Sequence, residues 1–189
     1  MTTPGANLLQ HIGRLIPVSA GLATELHHRM QAVNVAKGQL LHRAGAVCSR
    51  TYFITSGLLR SYYCKGEREI TDGFAAEGDW LTATSSFMTG QPDHTYLQAL
   101  EPSQAAALTA ADLGYLFAHF PEMERFGRIT LAQQFLQQAT RVEALRFTSA
   151  KDKYAHFCAA YARLLPRLPL GMVATYLGIR QETLSRLRR

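Results

Sequence analysis

Hydrophobic and polar positions follow three successive patterns along the chain. Near the N-terminus, residues 8–30 have helical spacing, with Leu22 and Leu26 four positions apart. Ser19 precedes them and is a residue type that favours a helix N-cap. Between about 31 and 109, short apolar or alternating runs are separated by glycine-containing turn signals, which is typical of a β-sandwich or barrel. The rest of the chain returns to helical spacing, so helices are expected on both sides of a β region.

Three runs in the middle region predict strands joined by tight turns, namely Thr51–Thr55, Leu58–Cys64 and Glu69–Phe74. The stretch Thr84–Thr89 predicts a short helix set inside this β region. Because the strands are grouped together and the helices lie before and after them, the order of elements predicts an α+β fold.

A short helix from Ala110 to Phe120 is predicted directly after the β region, and two longer helices are predicted to follow it. The first of these two runs from Pro121, a residue suited to a first helical turn, to about Phe147. Its apolar residues cover more than one face, and they are Phe126, Ile129, Leu131, Phe135, Leu136, Val142 and Leu145. One face is expected to rest on the β region and another on a second copy of the chain, and a single buried helix in a monomer is the alternative. Ser149 is predicted to cap the second helix, which continues to Leu165.

The last twenty residues, Leu170–Arg189, have the pattern of a helix-turn-helix, and Pro166 and Pro169 bracket the linker before them. Gly178 lies where the turn needs a residue that tolerates a positive φ. The apolar positions expected to hold the two helices together are Val173, Leu177, Ile179, Leu184 and Leu187. The second helix would then present polar side chains of the types that read base edges and phosphates. The alternative is an ordinary amphipathic hairpin with a solvated basic face.

Net charge is confined to the same end of the chain. Residues 1–150 carry twelve Lys/Arg and twelve Asp/Glu, whereas residues 151–189 carry eight basic and two acidic residues. The whole net charge of +6 therefore lies in the C-terminal segment. A local basic excess favours contact with phosphates, since released counterions drive such binding. The sequence predicts double-stranded DNA as a partner.

Composition and motifs argue against several other classes of protein. The cysteines, Cys48, Cys64 and Cys158, are too far apart for a disulfide framework or a metal-ligand pattern. No apolar run approaches the roughly 20 residues of a membrane helix, and no signal-peptide pattern is present, so a cytoplasmic protein without a membrane partner is expected. The sequence contains no Walker loop, no G-x-S-x-G motif and no close His-x-His pattern. We therefore expect neither an enzyme nor a metal site.

The order of these elements resembles that of the CRP/FNR-type transcriptional regulators, the catabolite activator protein family. The strongest part is YLGIRQETLSRLRR, which is similar to the family's recognition segment. Weaker matches are GQLLHRAGAVCSRTYFITSGLLRSYY, EGDW, SSFMTGQP and YLQALEPSQ, which are similar to its β-roll. The resemblance implies a cyclic-nucleotide-binding-like β-roll sensor domain over 1–120, a dimerisation helix over 121–148 and a DNA-binding helix-turn-helix domain over 149–189.

The resemblance also implies how the chain would act. It would bind a pseudo-palindromic operator as a homodimer, with RNA polymerase as a further candidate partner. The DNA-binding positions implied are Arg180, Gln181, Glu182, Thr183, Ser185, Arg186, Arg188 and Arg189. Of these, Glu182 and Arg186 are suited to cytosine and guanine edges, and Arg180 is suited to phosphate. The alternative function is a ligand-sensing or protein-interaction module that has lost specific DNA binding.

The sequence departs from the family at the cyclic-nucleotide pocket. The Gly-Glu pair of cyclic-AMP-binding members falls on Thr82 and Ala83, and the Arg-Ser/Thr pair falls on Asp93 and His94. A carboxylate in place of the phosphate-pairing arginine would repel the anion, and no arginine lies between residues 68 and 125. We expect no cofactor and an effector other than cyclic AMP. The candidate pocket residues are Trp80, Thr82, Ala83, Asp93 and His94.

A second departure concerns the C-terminal end. Family members usually follow the recognition helix with a β wing that packs on the helix-turn-helix and touches the DNA backbone. This sequence shows no wing after the recognition segment. We therefore expect weaker DNA binding and more mobile terminal helices.

Overall fold

The computed structural model describes residues 4–147 and 149–188. The helices are α1 (Pro4–Gly13), α2 (Ala20–Arg29), α3 (Thr84–Thr89), α4 (Ala110–His119), α5 (Pro121–Phe147), α6 (Ala150–Ala160), α7 (Leu170–Leu177) and α8 (Gln181–Leu187). The strands are β1 (Gln31–Val35), β2 (Leu40–His42), β3 (Arg50–Ser56), β4 (Leu58–Lys65), β5 (Arg68–Ala76), β6 (Trp80–Leu81), β7 (Tyr96–Ala99) and β8 (Ser103–Thr109). The three predicted strands and the short helix α3 are confirmed.

The strands form two antiparallel four-stranded sheets that enclose an apolar interior. The first sheet has the order β1-β8-β3-β6 and the second the order β2-β7-β4-β5. Side chains from both sheets fill the interior, among them Ile54, Leu59 and Leu97, each with no exposed surface. Buried alanines such as Ala99 and Ala105 lie between them, and small side chains allow close packing of the facing sheets. The β region is therefore a closed roll, and the α+β fold is confirmed.

A layer of helices covers the outer face of the first sheet. On β3, Tyr52 and Ile54 point into the roll, whereas Phe53 between them points out, as the two-residue period of a strand requires. Phe53 meets a cluster of buried side chains from α1, α2, α4 and the start of α5, including Leu22 and Leu116. Burial of these apolar side chains holds α1, α2, α4 and the start of α5 against the roll.

The N-terminal helical region consists of two helices. The first, α1, ends at Gly13, and the second, α2, begins at Ala20, directly after Ser19. Pro17 lies in the connection, and a proline in this position cannot donate the backbone hydrogen bond that a continuous helix needs. Ser19 caps α2 as predicted, since its hydroxyl oxygen accepts a hydrogen bond from the amide of Leu22 at 3.2 Å.

Helix α5 begins at Pro121 as predicted and has two different environments along its length. Met123 and Phe126 near its start are buried against the roll. Farther along, four large apolar side chains are exposed, with exposed fractions of 51% for Leu131, 73% for Phe135, 64% for Leu136 and 46% for Val142. The side chain of Leu145 lies outside the described residues. The second half of the helix therefore carries an apolar face that nothing in the described chain covers.

The C-terminal helices cover the outer face of the second sheet. Leu58, Phe74 and Ala76 of β4 and β5 form one buried cluster with Phe157 of α6 and side chains of α7 and α8. Helix α6 is capped by Ser149 as predicted, but it ends at Ala160 and not at Leu165. The following residues turn back towards the roll and bury Leu164 and Leu168 in the same cluster. The predicted division at 120 and 148 remains a prediction, since the first and last segments share a hydrophobic core.

Candidate nucleic-acid interface

Helices α7 and α8 form a helix-turn-helix whose turn is built around Gly178. This glycine has a φ of +65°, a left-handed conformation that costs an L side chain energy and that glycine adopts freely. The amide of Ile179 donates to the carbonyl of Ala174 at 3.0 Å, and the amide of Gly178 donates to the carbonyl of Thr175 at 3.2 Å. These bonds close the end of α7 in the manner of a glycine C-cap and set the direction in which α8 leaves.

Apolar side chains hold the two helices together as predicted. Val173, Ala174 and Leu177 of α7 are buried, and Leu184 of α8 has no exposed surface. Ile179 is half-buried between them. Because α8 is only seven residues long, this burial rather than intrinsic helix stability keeps it in place.

The outer face of α8 carries the polar side chains that the sequence singled out. Arg180, Gln181, Glu182, Arg186 and Arg188 are exposed, Thr183 and Ser185 are half-buried, and Arg189 lies outside the described residues. Within the described chain no salt bridge ties up the guanidinium group of Arg180, Arg186 or Arg188. These groups are therefore available to an external anion.

The helix-turn-helix is docked on the roll through hydrogen bonds and aromatic contacts to β5. The amide of Thr71 donates to the hydroxyl oxygen of Thr175 at 3.2 Å. The ring of Phe74 lies 6.0 Å from the ring of Tyr176 and 5.7 Å from that of Tyr161, measured between centroids. Burial raises the pKa of the Tyr161 hydroxyl, so this phenol stays neutral inside the cluster. The contact therefore combines aromatic rings with buried aliphatic side chains.

Two arginines complete the contact between the C-terminal helices and the roll. Arg167, in the linker before α7, bridges Glu77 at 3.0 Å and Glu101 at 2.7 Å. Arg141 of α5 pairs with Asp72 of β5 at 3.1 Å, and its guanidinium carbon lies 4.5 Å from the centre of the Tyr176 ring.

Glu77 also accepts a hydrogen bond from the amide of Gly57 at 2.8 Å. Burial of Glu77 acts to raise the pKa of its carboxyl group, but the hydrogen bonds from Arg167 and from Gly57 outweigh it and hold the pKa below the ordinary value. Hydrogen bonds to Glu101 and Glu77 raise the pKa of Arg167. Sequence reasoning did not find these groups, because Arg167 is separated from Glu101 by 66 positions and from Glu77 by 90.

The candidate effector residues are only partly brought together. The hydroxyl groups of Thr82 and Thr51 are hydrogen-bonded, and Ala83 is buried directly before α3. Trp80 lies elsewhere, since its ring packs against Phe53 and Phe126 in the cluster outside the first sheet. The contacts of Trp80 are therefore with this outer cluster and not with the interior cluster of the roll.

Asp93 has partners within the chain. Its carboxylate accepts hydrogen bonds from the amide and the hydroxyl of Thr95, both at 2.9 Å, and lies 3.5 Å from Nε2 of His42. The side chains of His42 and Asp93 are only 5% and 8% exposed. Burial acts to raise the pKa of Asp93, but the bonds from Thr95 and the proximity of His42 lower it, which favours a buried carboxylate. The neighbouring His94 is exposed and touches Tyr63 edge-on.

Metal-ligand groups and membrane-spanning helices are two further features that the described residues can be compared with. Residues 4–147 and 149–188 contain no group of three or more His, Cys, Asp or Glu side chains placed to hold a metal ion. None of the helices in these ranges has both the length and the apolar character that crossing a bilayer would require.

Comparison with known proteins gives a consistent family. Residues 32–120 match the cyclic nucleotide-binding domain family. The chain is 28% identical over 166 residues to the fumarate nitrate reduction regulatory protein of Klebsiella oxytoca and 27% identical to its counterpart in Escherichia coli strain K12. Each alignment covers 81% of this chain and 65% of the relative, so the chain spans just under two thirds of the length of these curated relatives.

Solved structures share the fold. FixK2 from Bradyrhizobium japonicum superposes with a TM-score of 0.73 at 17% identity, covering 84% of this chain and 82% of FixK2. A CooA mutant from Carboxydothermus hydrogenoformans also gives a TM-score of 0.73, at 16% identity, and covers 100% of this chain and 84% of CooA. The matched domain family, the sequence relatives and the shared fold together support the CRP/FNR type for this chain.

Proposed function

We propose that the chain is a DNA-binding transcriptional regulator and not an enzyme. The observation that carries the proposal is the outer face of α8, where exposed and unpaired basic and polar side chains stand on a buried helix-turn-helix core. The net charge of +6 lies within residues 151–189, the segment that includes α8. Support also comes from the curated relatives, which are named as regulatory proteins.

Readout would follow from the chemistry of the exposed side chains. Arg186 presents a planar fork of donors that suits the O6 and N7 atoms of guanine, and Glu182 can accept from the amino group of cytosine. Gln181 and Ser185 would contribute further base contacts, whereas Arg180, Arg188 and Arg189 would meet phosphates and set the register, with Thr183 as a further phosphate contact.

The exposed apolar face of α5 supports a homodimer as the binding species. Leu131, Phe135 and Val142 recur at spacings of four and seven, which is compatible with a heptad seam between two copies of the helix. Large apolar side chains with between 46% and 73% of their surface exposed favour a protein partner. A two-fold pair would present two copies of α8 to successive major grooves, about 34–36 Å apart. RNA polymerase would be a further partner of the bound dimer.

We further propose that the effector is not cyclic AMP. The Asp93 carboxylate is buried and held by Thr95 and His42, so an incoming phosphate would meet a negative charge where the family places an arginine. Thr82 and Ala83 offer no charged group to a ribose or a phosphate. A ligand of different chemistry would be needed to bias the orientation of the two recognition helices by population shift.

Fluorescence anisotropy with DNA from the chain's own promoter region, over a series of salt concentrations, tests the proposal. We expect binding that weakens steeply with salt, and a loss of about 1–3 kcal/mol of binding free energy for Arg186→Ala on the preferred sequence. Arg14→Ala is the matched control, because it removes the same charge from an exposed position far along the chain.

Two outcomes would count against this function. A folded dimer whose binding is absent or independent of salt would favour the alternative of a ligand-sensing or protein-interaction module. A chain that stays monomeric at micromolar concentration would contradict the spaced-helix arrangement, and sedimentation of the wild type against Phe135→Glu measures this directly.

A further inference from the structure

We propose that Arg167 is a positioning residue for DNA recognition, holding the helix-turn-helix in a fixed orientation on the roll without touching DNA itself. The inference rests on the proposed function and adds a residue to it. Arg167 belongs to the short 3₁₀ turn Leu165–Arg167 that leads from α6 into α7. Its location makes it a connection between the roll and the module that would carry the readers.

The geometry of Arg167 is that of a bridge between separate turns of the roll. Its Nη1 atom meets Glu77 on the β5–β6 turn at 3.0 Å, and its Nη2 atom meets Glu101 on the β7–β8 turn at 2.7 Å. Glu77 is in turn held by the amide of Gly57 on the β3–β4 turn. One guanidinium group therefore contacts two turns of the roll directly and a third through Glu77. Its planar set of N–H donors suits two carboxylates better than the compact ammonium group of a lysine would.

The backbone around Arg167 is braced on both sides. Pro166 restricts the preceding backbone, and Leu168 is buried in the cluster with Phe74 and Phe157. At Gly57 the φ is +99°, and an added Cβ would lie 2.7 Å from the Cα atom of Ser103, so this turn requires glycine. Both sides of the bridge are therefore held by neighbouring contacts as well as by the ion pairs.

Docking on the roll orients the outer face of α8 and leaves it exposed. Gln181, Glu182 and Arg186 are exposed on the docked molecule, and the contacts to the roll come from α6, from α7 and from the linker. A free module on a flexible linker would have to lose orientational freedom on binding DNA, whereas a docked one has already lost it. Arg167 therefore acts on affinity through preorganisation.

The charge of Arg167 is already neutralised in the folded chain. The carboxylates of Glu77 and Glu101 form ion pairs with it, and its side chain is only 29% exposed. It should release no additional counterion when DNA binds, so its removal should leave the salt dependence of binding unchanged. This property separates a positioning role from a phosphate contact.

The test compares Arg167→Gln with the matched control Arg163→Gln in the full chain. Arg163 lies four positions earlier, is exposed and makes no salt bridge among the described residues. Hydrogen exchange across β5 and α7 measures docking without DNA, and we expect faster exchange for Arg167→Gln only. In anisotropy with operator DNA we expect affinity to fall about three- to tenfold for Arg167→Gln, with an unchanged salt slope.

A second variant changes the bridge on the side of the roll. Glu101→Gln removes the negative charge of Glu101 without altering the C-terminal helices, and it should reproduce the faster exchange and part of the affinity loss. Arg167→Lys should restore part of both, because it keeps one ion pair. Tolerance for changed spacing between half-sites should increase in Arg167→Gln, since a less fixed module adapts more readily.

Three results would overturn the inference. Tighter DNA binding by Arg167→Gln would show that docking restrains the module, and a salt slope reduced by about one would make Arg167 a phosphate contact. Equal exchange and equal affinity in wild type and variant would remove the positioning role while leaving the proposed function intact. Wild-type protein that fails to bind any DNA would instead overturn the proposed function, and this inference with it.

Discussion

Helices pack on the outer faces of both sheets through buried apolar side chains, but the second face adds ion pairs that run from the helices and the linker to the roll. On the first face, Leu22 and Leu116 have no exposed surface, and Phe126 is 3% exposed. On the second face, Arg167 and Arg141 reach across to carboxylates that keep between a third and a half of their surface in solvent.

This difference separates a permanent contact from an adjustable one. Burial of aliphatic side chains is non-directional and indifferent to salt, and each buried large side chain stabilises the fold by about 1.5–3 kcal/mol. Partly exposed ion pairs contribute at most about 1 kcal/mol each, but they impose an orientation and respond to salt and acid. The aromatic cluster would thus supply most of the docking free energy of the C-terminal helices, and the ion pairs would set their angle.

Truncation of Phe126 should have the largest effect on the molecule. Phe126→Ala removes a ring that packs against Trp80 and His11 in the first face, and we expect about 3–5 kcal/mol less free energy of unfolding. Urea denaturation followed by the fluorescence of Trp80 measures it, since this is the single tryptophan of the chain. Val47→Ala, at a 48% exposed position, is the control and should stay within about 0.5 kcal/mol of the wild type.

The same truncation on the second face should cost less. Phe157→Ala removes a ring that contacts Phe74, Tyr161 and Tyr176. We expect the roll to stay folded when the C-terminal helices are loosened, which would limit the cost to the free energy that docking contributes. We expect faster hydrogen exchange in α6–α8 with the emission of Trp80 unchanged. A red-shifted Trp80 emission in this variant would mean that the two faces are not independent.

Acid should have the smallest effect, and it should act through Glu77. The pKa of this carboxyl group is lowered in the docked state, so its contribution is fully present above the unfolded value of about 4.3 and is lost as pH falls through the lower folded value. The protection factor of the α7 amides, which corrects exchange for its intrinsic pH dependence, should therefore stay constant from neutral pH to about 4.5 and fall below it. Arg167→Gln should flatten this profile, and an identical profile in the variant would exclude the bridge as its cause.

Local signals in the sequence predicted the elements well and their ends less well. Ser19 and Ser149 both cap helices as predicted, and Gly178 makes the turn between α7 and α8. Helix α6 ends at Ala160 although no glycine or proline stops it there. The chain turns because burying Leu164 and Leu168 against the second sheet stabilises it more than another helical turn would, and that gain depends on residues distant in sequence.

The candidate sites divide in the same way. The reading face of α8 follows from helical periodicity, because side chains on one short helix are placed by local geometry alone. Among the effector candidates, Asp93 is held by Thr95 and His42, whereas Trp80 packs against Phe53 in the cluster outside the first sheet. His42 and Phe53 come from strands distant in sequence from these candidates, so local spacing did not predict which candidates would meet.

The sequence by itself determined the order of β-roll, long helix and helix-turn-helix, the local basic charge and the identity of the outward-facing side chains, because each depends on spacing within a few residues. Only the tertiary structure decided that the C-terminal helices rest on the second sheet and that Arg167 meets Glu77 and Glu101. These contacts join residues that are separated by 66 and by 90 positions, so they depend on how the chain folds back on itself. Local periodicity does not predict them.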